Sequence, residues 1–190
     1  MKIIEGFLAG TMINYKKQKG TRVTTDKVRK AVFDVLKGLV DFEGLKVADL
    51  FCGSGMYGVE SLSRGAEDVL FLDNNKFILK QLTKNLSQLK VESYPPASPK
   101  LSFGGRGKVE SKDYEKFIKG CDEKFDLIFA DPPYYDFDFQ KFNDIYKILN
   151  KNSIFVLESS KRVKVGELKN LELIIEKKYG DTVIRFYKRN

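Results

Sequence analysis

Asp131-Pro132-Pro133-Tyr134 directly follows the apolar run Phe125-Asp126-Leu127-Ile128-Phe129-Ala130, and this is the most specific short chemical signal in the chain. Two consecutive prolines fix φ and remove two amide donors, leaving a rigid turn whose carbonyls are free to accept. Asp131 and the Pro132 carbonyl can both accept from one exocyclic amine, while Tyr134 offers a flat face to a base. A nucleobase amine is a weak nucleophile because its lone pair is delocalised into the ring. Acceptors aimed at its N–H bonds stabilise the positive charge that grows during attack, the cationic counterpart of an oxyanion hole. A methyl donor must then be held in line at about 3–3.5 Å. Asp131 can also take the released proton, although orientation and electrostatics are expected to matter more. The bland alternative is a purely structural strand exit.

A second constellation lies upstream. Asp49-Leu50-Phe51-Cys52-Gly53-Ser54-Gly55 leaves an apolar strand and opens a helix, and Asp73 ends the next strand 20 residues after Gly53. Gly53 and Gly55 let the backbone turn tightly and let a ligand approach it. In an open α/β sheet such a turn lies at the carboxyl ends of the strands, where ligands bind. Asp73 is placed to accept from a ribose diol. With Gly58 the run is formally Gly-x-Gly-x-x-Gly, so dinucleotide binding competes. Asp49 brings negative charge toward the turn, which suits a cationic sulfonium and amino group better than a pyrophosphate. Its alternative role is to fix the loop. Asp113 can either cap the helix that follows it or accept from an adenine amino group.

Composition narrows the chemistry further. The 190 residues contain no histidine and two widely separated cysteines, Cys52 and Cys121. This excludes a Cys/His zinc site, a histidine base and a Cys-x-x-Cys redox pair. With 42% hydrophobic and 32% charged residues, the chain can build a sizeable core. Its apolar runs are far shorter than the roughly 20 residues of a membrane span. Lys16, Lys17 and Lys19 interrupt any secretory core, so a cytoplasmic location without membrane partners is expected. The formal charge is +8, and residues 1–30 hold eight basic against two acidic side chains. That favours a polyanionic partner such as nucleic acid, because phosphate attraction needs no base sequence; a merely solvated basic surface is the alternative.

The elements that must position these groups follow from periodicity. The first 24 residues read as small strands and turns. A helix is expected from about Asp26 to Gly38, capped by Thr25, with Val28, Val32, Val35, Leu36 and Leu39 on one face. Strands at 47–51, 69–72, 127–130 and 154–157 alternate with helices, one from about Met56 to Arg64 and one placing Ile78, Leu82, Leu86 and Leu89 on a stripe. This implies a mostly parallel sheet covered on both faces. Leu171–Lys178 and Thr182–Tyr187 form a hairpin about Gly180-Asp181. Residues 90–107, with three prolines and three glycines, read as a long loop insertion before a short strand near Val109.

Taken together, these motifs resemble the bacterial small-subunit (16S) ribosomal RNA guanine-N2 methyltransferases, within the S-adenosylmethionine-dependent Rossmann-like enzymes. The resemblance runs from Met1-Lys2-Ile3-Ile4-Glu5-Gly6 almost to the C-terminus. It includes Arg22-Val23-Thr24-Thr25-Asp26-Lys27-Val28-Arg29, the Asp49–Gly55 turn, Leu62-Ser63-Arg64-Gly65-Ala66 and Asp131-Pro132-Pro133-Tyr134. It implies an α/β, Rossmann-like class I fold with a seven-stranded mostly parallel sheet, its last strand inserted antiparallel, and a small N-terminal β/helix extension. Residues 1–40 would form the RNA-contacting extension and helix, and 41–190 the methyltransferase domain.

The same resemblance implies that Asp49, Gly53 and Gly55 line the methionine part of S-adenosylmethionine, with Phe51, Cys52 and Ser54 in the same turn. Asp73, beside Asn74, would hold the ribose and Asp113 the adenine side. Asp131, Pro132, Pro133 and Tyr134 would receive the guanine amine. Arg22, Thr24, Thr25 and Arg29 form the expected RNA grip, with Thr24, Thr25 and Asp26 fixing the helix entrance; a salt bridge within the domain is the alternative for Arg22. Val23 stands where the family usually has proline and Cys52 where it usually has alanine. The expected partner is small-subunit ribosomal RNA, free or within an assembly intermediate, bound by a monomer, with no metal. Competing readings are amine methylation of adenine or cytosine in DNA, and a non-catalytic RNA-binding module.

Overall fold

A computed structural model describes residues 1–16, 24–93, 105–133 and 137–190. Its centre is a sheet ordered β3-β4-β2-β1-β5-β6-β8-β7. The strands are β1 (Lys46–Leu50), β2 (Asp68–Asp73), β3 (Glu92–Ser93), β4 (Arg106–Ser111), β5 (Phe125–Ala130), β6 (Leu149–Ser160), β7 (Leu171–Tyr179) and β8 (Thr182–Arg189). Seven of these are strands of five residues or more, as expected, and β3 adds a two-residue edge. β1 pairs in parallel with β2 on one side and β5 on the other, while β8 runs antiparallel between β6 and β7. Strand order therefore reverses at β1, which places a ligand crevice over the carboxyl ends of β1 and β5.

Burial explains the pattern. Along β1, Val47 to Leu50 are all buried, as a strand covered on both faces requires. One apolar layer joins Val47, Val69, Leu127 and Val156 to helices α1 (Asp26–Leu36), α2 (Met56–Ser63) and α3 (Lys76–Gln88). Ile3 and Ile13 pack into that same layer, and Lys2 pairs antiparallel with Met12. The opposite layer joins Ala48, Leu50, Ile128 and Phe155 to α4 (Tyr114–Lys119) and a 3-10 helix, Phe139–Ile148.

The expected helices shorten at their ends, α1 stopping at Leu36 rather than near Gly38. The 90–107 loop needs a larger correction. Glu92–Ser93 pairs with Arg106–Gly107, so both ends of the expected insertion are strand; residues 94–104 lie outside the described residues. The 3-10 helix has no counterpart in the sequence reading, although Phe139, Phe142, Ile145 and Ile148, all buried, recur at its three-residue period. Among the described residues no helix is long and apolar enough to cross a membrane.

Candidate active site

The turn after β1 is built by backbone conformation. Phe51 (φ 58°), Gly53 (φ 51°) and Gly55 (φ 74°) all adopt the left-handed region, and Gly55 caps α2. The turn is tied to β2 twice: the Cys52 amide donates to the Leu72 carbonyl (2.9 Å), and the Gly53 amide donates to Asp73 Oδ2 (3.0 Å). A Cβ on Gly53 would meet nothing closer than 3.9 Å, so the space above that glycine is open.

Asp49 points from β1 beneath this turn. It is 2% exposed, and its Oδ2 accepts the Gly58 amide of α2 at 2.9 Å. Burial pushes its carboxyl well above the usual carboxylate range, and the charges of Asp131 and Asp73 add to the rise, whereas the Gly58 bond opposes it. Asp49 thus takes the loop-fixing role, and it also lines the pocket. Cys52 is also buried, and desolvation, then Asp49 and Asp73, push its thiol up, away from thiolate chemistry.

The catalytic candidates approach from β5. The register pairs Leu50 with both Leu72 and Ala130, so Asp73 and Asp131 leave strands flanking β1 at the same end of the sheet. Asp131 is half-buried, Pro132 buried and Pro133 exposed; Tyr134 lies outside the described residues. A pocket open to solvent is lined by Asp49, Phe51, Cys52, Gly53 and Ser54 on one side and by Asp131, Thr24, Arg29, Met1 and Tyr15 around it, with Met56 and Tyr57 from α2.

Several expectations require correction. Arg29, assigned to the RNA grip, is 0% exposed. Its Nε donates to Glu60 Oε1 (3.2 Å) and its Nη2 to the Lys2 carbonyl (2.6 Å), while Asp26 lies 3.1 Å from Nη1. Arg64 pairs with the same Glu60, so this guanidinium is part of a buried ion network out of reach of an RNA phosphate. Thr24, assigned to the same grip, turns inward: its hydroxyl lies 3.3 Å from Asp131 Oδ2 and 3.1 Å from Glu158 Oε2. Thr25 caps α1 through the Val28 amide (3.3 Å), as the helix entrance requires. Arg22 falls outside the described residues.

On the cofactor side, Asp113 takes the capping role, its Oδ1 accepting the amides of Glu115 (3.0 Å) and Lys116 (3.2 Å); it does not line the pocket. Asn74 is exposed, and its neighbour Asn75 caps α3. Asp73 does not line the pocket either; it is tied to the pocket's Gly53 by that residue's amide.

Glu158 and Tyr57 were not anticipated. Glu158 follows Leu157 just as Asp131 follows Ala130 in the paired strand, an acid at the end of an interior apolar run. Tyr57 donates to Glu158 Oε2 (2.9 Å) and stacks on Phe129 with centroids 4.8 Å apart. Burial, then the Glu158 and Asp131 charges, push its phenol well up, so it remains a donor.

The donor set suits S-adenosylmethionine. Asp131, and Asp49 once a cationic ligand favours its ionised form, offer negative charge to a sulfonium and an ammonium, and the open face of Gly53 leaves room for the ligand's close approach.

The chain matches the family described as Conserved hypothetical protein 95 over residues 1–188. It is 28% identical to the Haemophilus influenzae ribosomal RNA small subunit methyltransferase D, the alignment covering 99% of this chain and 93% of that protein. The solved structure of yhhF from Escherichia coli superimposes with a TM-score of 0.82 at 26% identity, covering 100% of this chain and 98% of that one. At 13% identity and TM-score 0.61, the Synechocystis magnesium protoporphyrin IX methyltransferase, solved with bound S-adenosylmethionine, shares the fold over 85% of this chain and 79% of its own. The chain belongs to the Conserved hypothetical protein 95 family, that of the bacterial small-subunit ribosomal RNA methyltransferases, and is an S-adenosylmethionine-dependent enzyme of the Rossmann-like class.

Proposed function

We propose that the protein methylates the exocyclic N2 amine of a guanine in small-subunit ribosomal RNA. The observation that carries this reading is the meeting of Asp131 with the Asp49–Ser54 turn in one pocket at the carboxyl ends of β1 and β5. Bound S-adenosylmethionine supplies an electrophilic sulfonium methyl. Asp49 balances the cationic charge of that ligand, and the Gly53 backbone lets it lie close to the turn.

Asp131 and the Pro132 carbonyl accept from the amine and orient its lone pair. Both stabilise the positive charge that develops on nitrogen, and Asp131 takes the proton afterwards. The target base must leave its stack to reach this recessed position. Tyr134 offers the surface on which the base stacks, and Arg22 contacts the flanking phosphates. Residues 1–40 serve as the RNA-contacting extension, with Lys27 and Lys30 as the exposed cations of α1 once Arg29 is removed from that role.

The test is to incubate naked ribosomal RNA, partly assembled small subunits and DNA with enzyme and labelled cofactor, then analyse the nucleosides by mass. N2-methylguanosine from one of the RNA substrates is the expected product. A methylated adenine or cytosine, or no product in any substrate, overturns the assignment.

A further inference from the structure

The segment leaving β6, Lys161-Arg162-Val163-Lys164-Val165, alternates cations with valines. Val163 and Val165 pack against the apolar layer that holds Leu50, Ile128 and Phe155. Arg162 and Lys164 are exposed, and among the described residues neither side chain has an ion-pair partner. Lys161 differs, its Nζ lying 2.6 Å from Asp181 Oδ1. The backbone beneath these cations is anchored at both ends. The Lys161 amide donates to the Asp181 carbonyl (2.8 Å) and the Val163 amide to the Ser160 carbonyl (3.0 Å). A Cβ on Gly166 would lie 2.7 Å from Gln140 Nε2, so the segment lies against the 3-10 helix. The one acid of this stretch, Glu167, comes after Gly166.

The strand register places these cations at the crevice. Leu157 pairs with Ala130, so Glu158 is level with Asp131. Ser160 then stands about 7 Å beyond that level, at the usual rise of a strand, and Arg162 follows it. The 3-10 helix beside the segment is the described element that comes after the Asp131-Pro132-Pro133 turn. From the other apolar layer rises α1, with exposed Lys27 in its first turn, and Thr24 just before it touches both Asp131 and Glu158. We propose that Arg162 and Lys164 form a second phosphate-contacting rim for RNA, in the layer opposite the rim that α1 supplies.

The inference rests on the reading of RNA as the substrate and extends its contacts beyond residues 1–40. A base that leaves its stack to reach Asp131 draws the strand on both sides of it over the rims of the crevice. Phosphates there meet cations that no acid of the protein engages, and the Arg162 guanidinium offers the planar fork that suits a phosphate. Such contacts hold the strand in register over the pocket and read no base sequence.

The test is the salt dependence of binding to a naked small-subunit ribosomal RNA transcript. It compares the wild type, Arg162→Ala, Lys164→Ala, the double variant and a control, Lys46→Ala with Lys151→Ala, which removes two exposed charges near the amino ends of β1 and β6. Each single variant should lower the slope of log affinity against log salt by about 0.7–0.9, and the double variant by about 1.4–1.8. The control should keep the wild-type slope. All variants should keep the wild-type melting temperature and S-adenosylhomocysteine affinity, which separates a lost contact from a lost fold. A wild-type slope in the double variant, or an equal fall in the control, overturns the proposal. Nucleoside analysis of RNA incubated with labelled cofactor distinguishes this failure from that of the proposed reaction. Guanine methylation with an unchanged slope rejects the rim and keeps the reaction; a lowered slope in a protein that modifies no guanine keeps the rim and rejects the reaction.

Discussion

The Asp73 carboxylate closes the turn after β1 from the neighbouring strand, its Oδ2 accepting the Gly53 amide at 3.0 Å and its Oδ1 the Asn75 amide at 2.8 Å. If Asp73 holds a ribose, the ligand meets a carboxylate whose orientation is already set by the protein. Asp73→Ala removes both amide bonds and the charge. Hydrogen bonds to a charged group contribute about 1.5–3 kcal/mol, so S-adenosylhomocysteine affinity should fall roughly 10- to 150-fold. Asp73→Asn, which keeps an acceptor, should lose less. Titration calorimetry of the two variants provides the comparison, and equal losses would mean that the charge alone matters.

Asp49 predicts a pH dependence with a definite sign. Its folded carboxyl titrates above the unfolded one, so the stability linked to its protonation is fully present below the unfolded pKa and is lost as pH rises through the folded value. A cationic ligand favours the ionised form and releases a proton on binding. S-adenosylmethionine affinity should therefore weaken as pH falls through the raised Asp49 pKa. Asp49→Asn should raise the apoprotein melting temperature at neutral pH while weakening the cofactor and removing the proton release. Calorimetry in buffers of different ionisation enthalpy counts that proton.

Gly58 predicts an effect on packing. A Cβ there would lie 2.2 Å from Phe71 Cε1 and 2.8 Å from Val69 Cγ1, because α2 lies directly on β2. Gly58→Ala should destabilise the fold by about 1–3 kcal/mol, the usual range for overpacking. Chemical denaturation measures this, and an unchanged midpoint would show that α2 can move off the sheet.

Arg29 and Lys27 separate fold from RNA contact on one helix. Arg29→Ala leaves Glu60 in a buried network without one of its partners and should cost about 3–5 kcal/mol of stability. Lys27 is exposed, and Lys27→Ala should leave stability unchanged within about 0.5 kcal/mol. If Lys27 contacts phosphate, that variant lowers the slope of log affinity against log salt by roughly 0.7–0.9. Denaturation curves and RNA titrations over a range of salt concentrations check the pair.

What the sequence by itself determined lies where short-range chemistry decides. Apolar runs and amphipathic periods specified the alternating strands and helices, and Gly180-Asp181 placed the β7–β8 turn, where Gly180 has φ 62°. The glycines after β1 and the prolines after β5 marked the two turns because backbone conformation depends on the residues within them. Position in space was not legible in this way. A basic residue in a helix written Asp26-Lys27-Val28-Arg29 could face solvent or core; the tertiary packing of α1 against α2 decided it, because Glu60 waits on the buried side to pair with Arg29. Thr24 and Glu158 are 134 positions apart, and no local pattern links them. They meet because β6 lies beside β5 in register and Thr24, just before α1, reaches both strand ends, so only the closed fold could bring a hydroxyl between two carboxylates.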